Sequence, residues 1–281
     1  MTDERSYPAG VPCWVDTEQP DVDAARHFYA SLFGWSFTDA VPPDAPGTYL
    51  IASLEGKDVA AVGPAHGDAP VEWNTYIAVE DADLAAATVR AAGGSVTLEP
   101  VDAGPGGRLA ACVDPRGARF RLWQPRRRLG AQLTNAPGSW NFSDLHTTDA
   151  ADAKGFYAPL FGWGLDDIGF ATMIRRPGYG DHLAATVDPG IFERQGGISA
   201  PPGFADAIGW LVPLASGRDH WHVTFTVASR DEAAATAEKL GAVVISSQDT
   251  DWTKTALIRD PQGAELTLSQ FTPPASGPNP G

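Results

Sequence analysis

Short apolar and amphipathic runs, separated by glycine and proline, divide the chain into strands and helices that recur in a fixed order. Residues 11–17 form the first strand-like run. Asp21 then stands where a helix needs its N-cap, and Phe28, Tyr29, Leu32 and Phe33 lay one apolar stripe along a helix that Gly34 ends. Short strands are expected near 35–38, 49–54 and 59–62. A β-branched and aromatic run at 73–79 opens a second cycle, with a helix over 82–92 stopped by Gly93 and Gly94, and strands near 96–98, 109–113 and 120–123. The succession returns downstream: a strand at 140–147, a helix from Asp149, a strand at 221–227, a helix through 233–240 and closing strands to Leu268.

The recurrence extends to residue identity. Phe28-Tyr-Ala-Ser-Leu-Phe-Gly-Trp35 returns as Phe156-Tyr-Ala-Pro-Leu-Phe-Gly-Trp163, and Asp114-Pro-Arg-Gly-Ala118 returns as Asp260-Pro-Gln-Gly-Ala264. The chain is therefore read as a tandem duplication. A βαβββ unit cannot bury both faces of its sheet alone, so two units joined edge to edge are expected to curl into an open barrel with a cleft on its concave side. The predicted class is α+β: four βαβββ modules, paired into two open-barrel domains at residues 9–126 and 139–272. Residues 127–138, preceded by Arg126 and containing Arg127 and Arg128, read as a solvated linker, and 273–281 as a disordered, low-complexity tail. Pairing Val79 with Val227 but the Val59-Ala-Ala run with Leu183-Ala-Ala puts additional residues of the second half at about 188–211. That stretch, rich in Gly and Pro, reads as a long loop suited to a lid or a binding loop.

Composition narrows the function. The formal charge of −15, from 20 basic and 35 acidic residues, argues against nucleic acid and anionic membranes as partners. No apolar run reaches the roughly 20 residues that span a bilayer, and the polar start MTDERSYPAG lacks a secretory pattern, so a cytoplasmic location is expected. Cys13 and Cys112 are too isolated for a disulfide framework and read as buried free thiols. There is no G-x-S-x-G elbow, P-loop or H-E-x-x-H, and residues 104–107 read as a turn.

With its helix ending in Phe-Tyr-x-x-Leu-Phe-Gly-Trp and its closing Asp-Pro-x-Gly-Ala hairpin, both present twice, the chain resembles the vicinal oxygen chelate superfamily. That superfamily contains glyoxalase I, bleomycin- and fosfomycin-resistance proteins and extradiol dioxygenases, and the Ala/Gly/Pro-rich four-module form resembles two-domain glyoxalase-like proteins of actinobacteria. The resemblance implies metal ligands on the first strand of each module and on the strand after each Asp-Pro-x-Gly turn, usually His, His and Glu. Counting onto this chain gives Trp14, Asn74 and Arg121 in the first half and Phe142, His222 and Thr267 in the second. Indole and phenyl rings cannot ligate, Arg repels a cation, and one His does not replace three protein ligands. No metal and no other cofactor is expected.

Strand parity then says what faces each cleft. In the first half these are Trp14, Asp16, Glu18, Asn74, Tyr76, Arg121 and Trp123; in the second, Phe142, Asp144, His146, His222, Thr224, Thr226 and Thr267, with His220 near the rim. Asp16 and Arg121 read either as a structural ion pair or as ligand-binding groups. Trp14 and Trp123 either stack on a flat ligand or fill the vacated metal position. Asp144, His146 and His222 read either as acid–base groups or as satisfied core residues. Two functions compete: metal-independent isomerase, cyclase or lyase chemistry in the second cleft, and non-catalytic sequestration of a drug or metabolite. Aromatic linings and a charge of −15 suit a flat or cationic small molecule. A metal-dependent lyase or dioxygenase is a distant third, and the sequence leaves the oligomeric state open.

Overall fold

Helices start where the sequence supplies a capping oxygen. Asp21 and Asp149 occupy equivalent N-caps, accepting the amides of Ala24 and of Ala151 and Asp152, and the helices stop at Gly34 and Gly162, both in the left-handed region. In the computed structural model, which describes residues 5–67, 70–169, 172–197 and 200–273, these caps frame α1 (Val22–Phe33) and α3 (Ala150–Phe161). The first half runs β1 (Pro12–Gln19), α1, β2 (Ser36–Asp39), β3 (Leu50–Leu54), β4 (Lys57–Pro64), β5 (Trp73–Ala78), α2 (Ala82–Ala91), β6 (Ser95–Ala103), β7 (Gly107–Val113) and β8 (Arg119–Pro125). The second runs β9 (Trp140–Thr147), α3, β10 (Gly164–Asp167), β11 (Thr172–Arg175), α4 (Tyr179–Thr186), α5 (Ile191–Gly197), β12 (Ala207–Pro213), β13 (His220–Thr226), α6 (Arg230–Lys239), β14 (Val243–Asp249), β15 (Thr253–Arg259) and β16 (Glu265–Phe271).

Each half is one eight-stranded sheet, ordered β2-β3-β4-β1-β5-β8-β7-β6 and β10-β11-β12-β9-β13-β16-β15-β14. Within each, the first strand of a module lies parallel to its last, and the two first strands meet antiparallel at the centre. Two βαβββ modules thus join edge to edge in each sheet, and the α+β architecture is the one the repeat predicts.

The additional residues of the second half overlap the stretch 188–211 that the motif pairing suggests, but begin earlier and end earlier. β3 turns into β4 through Glu55 and Gly56, whereas 176–206 separate β11 from β12 and carry α4, α5 and a short 3₁₀ turn, Phe204–Asp206. Residues 188–211 are therefore no simple loop: they include α5 and most of β12. Leu183-Ala-Ala belongs to α4, and the true counterpart of β4 is β12, where Leu211 lies beside Leu145 of β9. A triplet of small apolar residues satisfies a helical stripe as well as a strand, so it could not fix the register. The linker reading also needs correction. Ala131 is fully buried, its amide donates to Cys13 O, and its carbonyl accepts the Tyr7 hydroxyl at 2.6 Å, so the segment is packed along the first half. The tail beyond Pro273 lies outside the described residues.

The two repeated motifs hold the halves together. Tyr29 of the first half donates to Asp260 Oδ2 at 2.7 Å, and Tyr157 of the second donates to Asp114 Oδ2 at 2.9 Å. Trp35 Nε1 donates to Gly138 O and Trp163 Nε1 to Gly10 O, at 2.7 and 2.6 Å. Each half's Phe-Tyr-x-x-Leu-Phe-Gly-Trp helix end therefore grips the other half's Asp-Pro turn and the glycine just before its first strand, in reciprocal fashion. Gly10 is required here: its φ is +88°, and a Cβ would stand 2.4 Å from Phe161 O. Between the sheets, Thr75 donates to Ser143 Oγ at 2.8 Å amid Trp73, Phe33 and Phe225. Cys13 and Cys112 are buried free thiols; burial pushes Cys112 up to about 12 and Cys13 higher still. Among the described residues no helix is long and apolar enough to cross a membrane.

Candidate functional site

The concave face of the first sheet is occupied by its own side chains. Asp16 of β1 is fully buried; Oδ1 accepts Asn74 Nδ2 at 2.8 Å, and Oδ2 accepts the hydroxyls of Tyr76 and Tyr49. Arg121 Nη1 reaches Asp16 at 3.4 Å and Tyr76 Oη at 2.7 Å, while Nη2 pairs with Glu18. Trp14 Nε1 donates to the Tyr49 hydroxyl at 3.1 Å, and Trp123 Nε1 to Arg128 O at 2.9 Å. Of the two readings of Asp16 and Arg121, the geometry is that of a buried ion pair. The burial of Asp16 is tolerable because a guanidinium and three neutral donors surround it. Burial and the Asp16 charge push the Tyr49 hydroxyl well above its ordinary range.

The second sheet keeps a void. A cavity of about 440 Å³ opens over β9, β12, β13, β15 and β16, within the range of small-molecule sites. Asp144 and His146 from β9, His220, His222 and Thr224 from β13, and Thr267 from β16 all line it. Cross-strand pairing sets His222 beside Asp144 and His220 beside His146. The His146 ring lies 4.8 Å from His220 and 5.1 Å from His222, centroid to centroid. His220 Nδ1 is 2.9 Å from Arg218 O, which can only accept, so Nδ1 carries the proton. His222 Nε2 lies 2.8 Å from Thr267 Oγ1.

Electrostatics distinguish these groups. Burial pushes the Asp144 carboxyl up to about 7, against the opposing help of the Trp210 amide, which donates to Oδ1 at 2.9 Å. Burial and neighbouring imidazoles hold His146 down to about 4 and His222 down to about 3. Near neutral pH the cavity thus contains a carboxyl raised into the neutral range at Asp144 and imidazoles held uncharged at His146 and His222. This arrangement can accept a proton at Asp144 and donate hydrogen bonds from neutral ring N–H groups.

Of the residues singled out from the sequence, Asp144, His146, His222, Thr224 and Thr267 come together here. Phe142 does not; it lines a smaller cavity towards α4 and α5. Thr226 accepts from Asn141 Nδ2 at 3.2 Å. Sequence reasoning missed Trp210, Asn141, Thr253, Thr255, Leu257, Glu265 and Ser269, which complete the lining. Trp210 was legible in principle, since residues 207–213 form a short apolar run of strand length, but the mistaken register at Leu183 hid it. The family's metal positions do not fit a cation here. Arg121 places a guanidinium on the first, Phe142 offers no donor, and Thr267 is engaged with His222. Among the described residues, no group of three or more His, Cys, Asp or Glu is arranged to hold a metal ion.

Comparison with known proteins agrees with this architecture. The glyoxalase-like domain family matches residues 141–269, and the glyoxalase/bleomycin resistance protein/dioxygenase superfamily matches residues 19–122. CFP32 of Mycobacterium bovis, provisionally named a glyoxylase, is 33% identical over 97% of this chain and 99% of its own. The anthracycline biosynthesis protein DauV of Streptomyces sp. strain C5 is 34% identical over 94% of each. Among solved structures, the Mn(II)-bound glyoxalase from Novosphingobium aromaticivorans superposes with a TM-score of 0.60 at 18% identity, covering 93% of this chain and 82% of that one, a likeness of fold. With both halves matched and full-length relatives at this identity, the chain belongs to the glyoxalase/bleomycin resistance protein/dioxygenase superfamily, of which it carries two domains in tandem.

Proposed function

We propose that the second cleft binds a polycyclic, oxygen-rich aromatic small molecule and catalyses metal-independent proton transfer on it, of the isomerase, cyclase or lyase type. The observation that carries this reading is one cavity holding a carboxyl of near-neutral pKa beside imidazoles that remain neutral. Asp144, as the carboxylate, takes the proton from a carbon next to a carbonyl. An N–H of His146 or His222 polarises that carbonyl oxygen as negative charge develops on it, and Asp144 returns the proton at another carbon. A base is most effective when its pKa lies near the working pH, and a neutral imidazole is the better-matched donor to an enolate-like oxygen. The substrate class draws support from the full-length likeness to anthracycline biosynthesis proteins. The hydroxyls of Thr224, Thr253, Thr255 and Thr267 and the indole of Trp210 suit a flat ligand edged with oxygens.

The test is to incubate the protein with an anthracycline aglycone in D₂O. Binding is followed by tryptophan fluorescence, and exchange at carbons next to carbonyls by ¹H NMR. Catalysed exchange that falls about 100-fold or more in Asp144→Asn, with binding retained, is the expected result. Stoichiometric binding with an unchanged, unexchanged ligand would replace catalysis by sequestration, a reading that the net charge of −15 favours for cationic ligands. Absence of binding would refute both.

A further inference from the structure

His220 lines the acid–base cavity but has no part in the proton transfer proposed above. It opens β13, directly across from His146, and its ring is held from behind. Nδ1 lies 2.9 Å from the carbonyl oxygen of Arg218, two residues earlier. The peptide that carries this carbonyl is tethered by the side chains on both of its sides. Arg218 pairs with Glu72 of the first half. Asp219, 2% exposed, accepts the Thr147 hydroxyl, the amide and hydroxyl of Thr148, and Arg116 Nε. The turn into β13 is thus anchored, and the imidazole is anchored to the turn.

A neutral imidazole has one N–H and one lone pair. With the proton directed at Arg218 O, the lone pair is on Nε2. Nε2 makes no hydrogen bond to any described residue and stays accessible beside the cavity that His220 lines. The His146 ring, 4.8 Å away centroid to centroid and tilted by 40°, makes no hydrogen bond to it. The threonine hydroxyls of the lining can turn to donate or to accept, so they tolerate either kind of ligand edge. The His220 ring cannot turn without breaking its bond to Arg218. We infer that His220 is a specificity-determining acceptor: Nε2 takes a hydrogen bond from a ligand hydroxyl, so the cleft selects phenols over their ethers. The assignment rests on the reading of this cleft as a site for aromatic ligands and adds the group by which it recognises them. An ether oxygen facing Nε2 sets two acceptors against each other, and the hydrogen bond is lost.

2-Naphthol is the probe, with 2-methoxynaphthalene as the same bicycle without a hydrogen to donate. In protein labelled with ¹⁵N at histidine, at mildly alkaline pH, long-range ¹H–¹⁵N correlation identifies the ring whose signals vanish in His220→Phe or His220→Gln. That ring is expected to carry its proton on Nδ1, with a bare Nε2 resonating far downfield. Saturating 2-naphthol should move Nε2 upfield, as accepting a hydrogen bond does, and leave Nδ1 protonated. 2-Methoxynaphthalene should leave Nε2 in place and bind about three- to tenfold more weakly, the worth of one neutral hydrogen bond. In His220→Phe that preference should vanish, and His220→Gln, whose amide oxygen can accept, should restore it in part. A proton on Nε2 in the free protein, the same Nε2 shift with both compounds, or an undiminished preference in His220→Phe would overturn the assignment. The first two are read on the wild type, so they decide even if His220→Phe does not fold. 2-Naphthol that binds without moving Nε2 refutes the acceptor alone. Binding of neither compound refutes the aromatic-ligand reading of the cleft, and this assignment with it.

Discussion

Tyr157→Phe should destabilise the protein considerably more than Tyr29→Phe, although the two tyrosines occupy the same position of a repeated motif. Tyr157 is fully buried, and its hydroxyl makes two hydrogen bonds: it donates to Asp114 Oδ2 at 2.9 Å and accepts Trp221 Nε1 at 3.1 Å. Its removal strands a carboxylate oxygen of a residue 7% exposed and an indole N–H of a residue 5% exposed. A hydrogen bond to a charged group contributes about 1.5–3 kcal/mol and a neutral one about 1 kcal/mol, so the expected loss is about 2.5–4 kcal/mol. Tyr29 donates to Asp260 Oδ2, which keeps a second donor, Gln19 Nε2 at 2.8 Å. Trp73, the counterpart of Trp221, is near enough to the Tyr29 hydroxyl to lower its pKa but does not meet it in good hydrogen-bond geometry, so less is stranded there than at Trp221. The expected loss for Tyr29→Phe is about 1–1.5 kcal/mol. Urea unfolding followed by tryptophan fluorescence measures both, with the midpoint falling at constant slope if the interface remains cooperative. Equal losses, or a larger loss for Tyr29→Phe, would show that these hydrogen bonds do not hold the two halves together as described.

Two further outcomes follow from the clefts. Arg121→Met leaves Asp16 buried without its cation and should cost about 3–5 kcal/mol in urea unfolding, while ligand binding by the folded fraction in the second cleft stays at the wild-type value. The histidines give a pH dependence with a definite sign. Folding lowers His146 to about 4 and His222 to about 3, so the unfolded chain takes up their protons first. Their contribution is complete above the unfolded value of about 6.5 and is lost as pH falls towards 4. Asp144, raised to about 7, works in the opposite sense, favouring the folded state as pH falls from 7 to about 4. His222→Gln should therefore remove about 1.4 kcal/mol per pH unit from the slope of stability between pH 4.5 and 6; superimposable slopes would mean that His222 is not held neutral.

Much of the fold was legible because the signals are local. Caps at Asp21 and Asp149, stops at Gly34 and Gly162, and strand alternation each involve neighbours in sequence, and the repeat supplied a second copy of each. The grouping of Asp144, His146 and His222 followed from strand parity counted from the ligand positions that the family resemblance implies. What failed was long-range. The repeated Phe-Tyr and Asp-Pro motifs mark the family, but nothing in either half says that Tyr29 will meet Asp260 and Tyr157 will meet Asp114, 231 and 43 residues away. Phe142 shares the parity of Asp144, yet α4 and α5 give it a different cavity, and a sequence-adjacent triplet concealed β12 and with it Trp210.

The clefts diverge through few substitutions at matched positions, and those substitutions account for the difference in chemistry. Asp16 and Asp144 stand at the same place on β1 and β9. Around Asp16 the matched strand positions supply Asn74, Tyr76 and Arg121; around Asp144 they supply His222, Thr224 and Thr267. The first set delivers a cation and several donors to the carboxylate, and its long side chains fill the space they cross. The second set has no cation among its members and shorter side chains, so a void remains and, among the described residues, burial acts on Asp144 with the Trp210 amide against it. Emptying the cleft and raising the carboxyl towards neutrality are therefore one change. Exchanging Arg for Thr on the strand after the Asp-Pro turn leaves a void and, by the same removal of charge, lets burial raise the carboxyl towards neutrality.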